Sequence, residues 1–183
     1  MGTLRNRKGV RWGVVACVIL TFGPYAGAAL ILPGQAILAP PEADPIGGVI
    51  LAGGAPVAFS SLTFSGTLTA SVIQGDTTNP FGLSALTFTY LLQNDLASLN
   101  AIGRFTTNGF AGFSTDVSFQ PGVGQSPTFI DRTALAGGDV IGFTFFGAPI
   151  GTGALPPGSM PKRSVKIAAS APRISSISSA RHR

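Results

Sequence analysis

The stretch Phe59 to Val72, F-S-S-L-T-F-S-G-T-L-T-A-S-V, most constrains what this chain can become. Leu62, Phe64, Leu68, Ala70 and Val72 fall on one parity, and Ser61, Thr63, Ser65, Thr67, Thr69 and Ser71 on the other. Successive side chains of a strand point to opposite faces, so the pattern describes one apolar face and one hydroxyl face. A helix would scatter both sets around its circumference. Gly66 interrupts the apolar parity and marks a bulge, a bend or the turn between two shorter strands.

The same alternation returns downstream. Leu86, Phe88, Tyr90 and Leu92 alternate with Thr87 and Thr89, and Phe113, Thr115, Val117 and Phe119 oppose Ser114, Asp116 and Ser118. Ala101 to Phe105 and Thr128 to Ile130 are shorter strand candidates. Val140 to Phe146 is apolar on both parities, which predicts a central strand or one with its outer side covered. Turn composition separates these pieces at Gln74–Pro80, Thr107–Gly109, Pro121–Gly124 and Ala136–Asp139. No helical pattern of ordinary length interrupts the series. The expected fold is all-β, an antiparallel β-sandwich or jelly-roll-like arrangement, built on residues 57–158.

The two ends differ in character from this body. Arg5, Arg7, Lys8 and Arg11 precede the apolar run W-G-V-V-A-C-V-I-L-T-F, which Gly23-Pro24 and Ala26-Gly27-Ala28-Ala29 follow. That order is the one a secretory signal peptide takes, here residues 1–29, with cleavage after Ala28 or Ala29 and Ala39 as a later alternative. An uncleaved membrane anchor and a lipoprotein cut at Cys17 are the competing readings of the leader. Because Cys17 is the sole cysteine, cleavage leaves a mature chain without one, and without disulfide or thiolate chemistry. Residues 30–56 read as a Pro/Gly-rich arm donating an edge strand around Gly48 to Ala52. Residues 159–183 carry Lys162, Arg163, Lys166, Arg173, Arg181 and Arg183 among Ser and Ala, and read as a basic disordered tail.

Charge follows the same division. The net of +5 is the sum of a +4 leader, a −5 body between residues 12 and 158, and a +6 tail. Arg104 and Arg132 stand in that body against Glu42, Asp44, Asp76, Asp95, Asp116, Asp131 and Asp139. Nucleic-acid binding needs a basic folded surface, so it is not expected.

Candidate chemistry is sparse. His182 is the one histidine and lies next to the C-terminus, so neither a Ser-His-Asp relay nor a histidine metal cluster can be assembled. Asp76, Asp95, Asp131 and Asp139 sit in turn contexts, where solvated capping carboxylates are the default, and Asp116 shares a polar parity that predicts the solvent face. The oxygen-rich loop Gly75-Asp76-Thr77-Thr78-Asn79 reads as a plain turn rather than a calcium loop. Arg132 is expected to pair with its neighbour Asp131, or to take part in an ion pair joining two loops. No catalytic, cofactor-binding or metal-ligating residue is assigned, and no cofactor is expected.

Several of these stretches together carry a resemblance: F-S-G-T-L-T-A-S-V-I-Q-G-D-T-T-N-P at 64–80, L-T-F-T-Y-L-L-Q-N-D at 86–95, and I-G-R-F-T-T-N-G-F-A-G-F-S-T-D-V at 102–117. D-R-T-A at 131–134 and V-I-G-F-T-F at 140–145 complete the set. Over residues 57–158 the chain resembles exported bacterial proteins of the PEP-CTERM sorting class. Members end in Pro-Glu-Pro, a transmembrane helix and a basic cluster; here Glu42 is the only glutamate and no apolar span follows Gly158. A frame change near Ser159 accounts for that departure and implies a fold cut short after Phe146, with an unpaired edge prone to self-association. The resemblance implies export to the periplasm, cell surface or extracellular space, with only transient contact with the inner membrane. The expected role is a non-catalytic structural protein whose partners are exopolysaccharide or other surface components. A carbohydrate-binding or adhesive module is the alternative, and its sugar platform requires Tyr90 or Phe residues displaced from the core.

Overall fold

The computed structural model describes residues 29–42, 45–124, 126–145 and 162–170. Among them the chain is all-β, with strands arranged in two antiparallel sheets. The alternating sequences supply the middle of the larger sheet. β4 (Ser65–Gln74) and β5 (Leu86–Asn94) pair without a register break, placing Leu68 opposite Leu92, Ala70 opposite Tyr90 and Val72 opposite Phe88. Directly opposed residues share a face, so the two apolar parities merge into one core-facing surface.

The larger sheet also holds β1 (Ala29–Leu30), β3 (Val49–Ser60), β7 (Ser114–Gly124) and β10 (Lys162–Ser170), in the order β1-β7-β10-β5-β4-β3. The smaller sheet comprises β2 (Ala36–Leu38), β6 (Arg104–Thr107), β8 (Phe129–Arg132) and β9 (Ile141–Thr144), in the order β2-β8-β9-β6. Val117 and Ile167 from the larger sheet and Ile130, Ile141 and Phe143 from the smaller one have no exposed surface, and Ile31 joins them. Aromatic contacts bridge the layers: Phe105 stacks 5.3 Å from Tyr90 and 6.1 Å from Phe143, centroid to centroid. The arrangement is sandwich-like.

The organising stretch is a hairpin rather than one strand. Phe59 belongs to β3, the chain turns through residues 61–64 with Ser61 N–H donating to Phe64 O at 2.8 Å, and β4 follows. Leu62, expected on the apolar face, stands at this turn and is fully exposed. Gly66 lies within β4, opposite Phe59 and Asn94. A Cβ there would meet Gln93 O at 2.0 Å, so close strand approach, not a turn, requires the glycine.

Two boundaries move. The ordered chain starts before Val57: β1 pairs with β7, β2 pairs with β8, and β3 is the edge strand expected near Gly48–Ala52, extended to twelve residues. The disorder expected from 159 onward is corrected over Lys162–Ser170. There β10 occupies the middle of the larger sheet, paired with β5 from Lys162↔Gln93 to Ala169↔Leu86 and with β7 on its other side. Ile167, Ala168 and Ala169 are buried there, so small residues suffice where neighbouring strands close in on both sides. The expected gap after β9 is also absent, because β9 is flanked by β8 and β6. Leader residues 1–28 and residues 171–183 lie outside the described part.

The N-terminal strands make the cut sites unequal. Ile31 is fully buried, its N–H donates to Thr115 O at 3.0 Å, and Gly34 N–H donates to Arg132 O at 2.9 Å. Removing a buried Ile side chain alone costs roughly 2–5 kcal/mol. Should processing occur, intact-mass analysis is expected to place the mature N-terminus at Ala29. A chain begun at Pro40, without β1, Ile31 and β2, is expected to melt many degrees lower, and equal melting of the two would refute this.

Candidate functional site

Three features can be weighed as sites: the carboxylates, the two arginines of the body, and an apolar cleft. Asp76, expected to be solvated, is entirely buried. Its Oδ1 accepts Ile46 N–H at 3.1 Å, Thr78 N–H at 2.9 Å and Thr78 Oγ1–H at 2.7 Å. Thr87 Oγ1–H donates to Oδ2 at 2.9 Å. A buried carboxylate is tolerable when several donors replace its water, and here they tie the β4–β5 loop to the segment entering β3. In the same loop Asn79 Oδ1 accepts Phe81 N–H at 2.9 Å, so these oxygens are turned towards protein donors.

The other acids act similarly. Asp95 accepts Ser65 Oγ–H at 2.8 Å, Glu42 accepts Ser118 Oγ–H at 2.8 Å, and Asp139 Oδ1 accepts the N–H groups of Gly109 at 3.0 Å and Ala111 at 3.3 Å. Asp116 is a correction: it is 4% exposed rather than on an open solvent face, because β7 is flanked by β1 and β10. Among the described residues no three His, Cys, Asp or Glu side chains gather as a metal site, and no helix is long and apolar enough to cross a membrane.

The ion pair expected of Arg132 forms on Arg104 instead. Asp131 pairs with Arg104, not with Arg132: Arg104 Nη1 reaches Oδ1 and Nη2 reaches Oδ2, both at 2.8 Å. These hydrogen bonds hold the Arg104 guanidinium above its ordinary value. The pair is partly exposed, so it adds at most about 1 kcal/mol.

Arg132 is 3% exposed and bonds no carboxylate. Its Nε donates to Gly138 O at 2.7 Å, Nη1 to Ile31 O at 3.1 Å and Thr115 Oγ1 at 2.7 Å, and Nη2 to Phe110 O at 2.7 Å and Phe113 O at 3.0 Å. Those five acceptors use the full donor set of a guanidinium, leaving none for an anionic ligand. Burial pushes the Arg132 pKa down. Gly138 has φ of +79°, and a Cβ there would lie 2.5 Å from Arg132 Nε, so this carbonyl can approach only from glycine. The local Asp131–Arg132 sequence hides this arrangement. Its one signal is the Gly137-Gly138 pair that follows.

The cleft is a space of about 280 Å³ between the layers, where the smaller sheet ends at β6 and the larger continues into β4 and β3. Val57, Phe59, Phe64 and Leu68 wall it on one side, and Ile102 and Phe105 on the other. The rings of Phe59 and Phe64 meet edge to face at 6.2 Å. Arg104 stands among the lining residues with its guanidinium forked onto Asp131. The cleft therefore offers apolar contact rather than charge. A second recess, at the Ser61–Ser65 turn, has its serine hydroxyls already engaged: Ser61 Oγ–H donates to Phe64 O, Ser65 Oγ–H to Asp95, and Ser98 Oγ–H to Ser65 O.

Tyr90, one aromatic that a sugar platform could use, lies between the layers. Its ring packs on Phe105, and Thr107 Oγ1–H donates to its hydroxyl oxygen at 3.1 Å. Burial pushes the Tyr90 pKa up, and the Thr107 hydrogen bond offsets part of the rise. A raised folded value means that Tyr90's contribution to stability is whole below the unfolded value near 10 and declines as pH rises through the folded value. Alkaline titration is expected to show stability falling above about pH 10, with the fall reduced in Tyr90→Phe. Identical pH profiles for the two proteins would contradict it.

Compared with family models, curated proteins and solved structures, the chain matches none.

Proposed function

We propose that this chain is an exported structural protein of the cell surface or extracellular matrix, acting through an open β-sandwich, jelly-roll-like scaffold rather than through catalysis. The observation that carries this reading is the use made of its ionisable groups. Asp76, Asp139 and Arg132 bind main-chain groups of distant segments, and Asp131 is forked onto Arg104. These side chains hold loops and strands together, which is the task of a scaffold.

Export is supported by the basic leader, its apolar run and the small residues before Ala29. The likeness of residues 57–158 to the PEP-CTERM class points the same way. Tyr90, packed on Phe105, favours the structural reading over the carbohydrate-binding one. Fractionation of cells expressing the chain is expected to recover it outside the cytoplasm, and glycan arrays are expected to show no selective binding. Cytoplasmic retention would overturn export. Micromolar binding to one glycan class would replace the scaffold reading with a carbohydrate-binding one.

A further inference from the structure

The larger sheet has one long open edge among the described residues. β1 ends it with two residues, and the smaller sheet ends in strands of three and four residues. β3 runs for twelve, and all but Phe59 are exposed. Val49, Ile50, Leu51 and Val57 are each more than half exposed, at 68, 57, 55 and 66%. Natural edge strands are ordinarily guarded by charge, brevity, proline, bulges or a cover. β3 is not short, no charged residue occurs from Ile46 through Gly75, and its bulges and Pro56 all precede Val57–Ser60, which they leave unguarded.

We propose that β3 is a dimerisation edge, and that its occupant is β3 of a second copy, paired antiparallel across a two-fold axis. Charge selects the occupant. A charged strand would lose its hydration against Val57, Ala58 and Phe59 at the cleft and find no opposite charge on the hairpin. A second copy presents a matching uncharged edge, and a two-fold contact requires only that one surface complement itself.

The strand also limits where pairing occurs and how far it extends. Register shifts lie between Ile50 and Ala52 and between Gly53 and Pro56, with Gly53 and Gly54 at φ of +83° and +88°. These bulges divide the edge, and Pro56 has no N–H to donate. The continuous part is Val57–Ser60, beside the cleft, so each copy brings its Val57 to the other's apolar wall. Pairing consumes the edge, and the short strand at the far side of the sheet gives no comparable template. The assembly closes at two.

The test uses the purified full chain in sedimentation velocity across a concentration series, with amide hydrogen exchange at both ends of the series. A monomer–dimer equilibrium is expected, with concentration-dependent protection centred on Val57–Ser60. Val57→Lys, at an exposed site, is expected to weaken dimerisation at least about tenfold while leaving circular dichroism and melting nearly unchanged. Ile50→Lys, beyond the bulges, is expected to weaken it less and serves as a second folded variant. A monomer at every concentration would overturn the proposal. So would larger open-ended assemblies, protection outside β3, or dimerisation indifferent to Val57→Lys.

Discussion

A chain ended at Gly158 is expected not to fold, although it retains every strand that alternation makes legible. It would lack β10, which pairs with β5 on one side and β7 on the other, and with it Ile167, Ala168 and Ala169 from the interior. Each lost hydrogen bond removes about 1 kcal/mol, and burial of Ile167 adds about 2–3 kcal/mol. Together these losses rival the whole stability of an ordinary domain, about 5–15 kcal/mol. The truncated chain should lack a cooperative urea transition. A peptide spanning residues 159–183 should restore one by donating the missing strand. Cooperative unfolding of the truncated chain at the full-length midpoint would show that β10 is dispensable.

Arg132→Met is expected to be the most damaging single substitution in the body. Methionine fits the volume of the aliphatic stem but leaves the carbonyls of Ile31, Phe110, Phe113 and Gly138 without the guanidinium. Phe110 O keeps Phe113 N–H and Ile31 O keeps Thr115 Oγ1–H, so the carbonyls of Phe113 and Gly138 lose most; at about 1–3 kcal/mol for each, a loss of about 2–5 kcal/mol follows. Arg132→Lys should recover only part of it, because an ammonium cannot reproduce five donors in a planar fork. Asp131→Ala provides the contrast: it breaks a partly exposed pair and should cost no more than about 1 kcal/mol. Urea midpoints for the three variants test the ranking. An Arg132→Met protein as stable as Asp131→Ala would show that the buried guanidinium is not a hub.

These residues also show what a sequence makes legible. Phe88, Tyr90 and Leu92 announce a strand because side-chain alternation is local, and Val140–Phe146 announces a covered strand because both of its parities are apolar. The residues of β10 announce nothing comparable. Lys162, Arg163 and Lys166 resemble a solvated tail, and Ala168 and Ala169 are too small to signal a core. The space between β5 and β7 selects them, and that space exists only once the sheet has formed.

The charged groups divide in the same way. Arg132 is linked to Ile31 across 101 residues, and Asp76 to Ile46 across 30. Spacing along the chain does not show whether distant carbonyls or N–H groups will arrive to replace water. A reader of the sequence therefore assigns both to solvent or to the nearest opposite charge. Asp131 was available to Arg132 by adjacency, but neighbours along a strand point to opposite faces, and Asp131 meets Arg104 on one face while Arg132 enters the other.

By itself, the sequence determined the all-β class, the positions of the Thr-rich alternating strands, and the scarcity of histidine and cysteine, since these depend on local periodicity and composition. Tertiary structure alone decided which acid meets which base, which carboxylates are buried, that β10 completes the larger sheet, and that the edge strand expected near Gly48–Ala52 runs on to Ser60. Each of those outcomes depends on which segments arrive as neighbours, and burial, hydrogen-bond satisfaction and edge exposure are properties of that arrangement rather than of any residue taken alone.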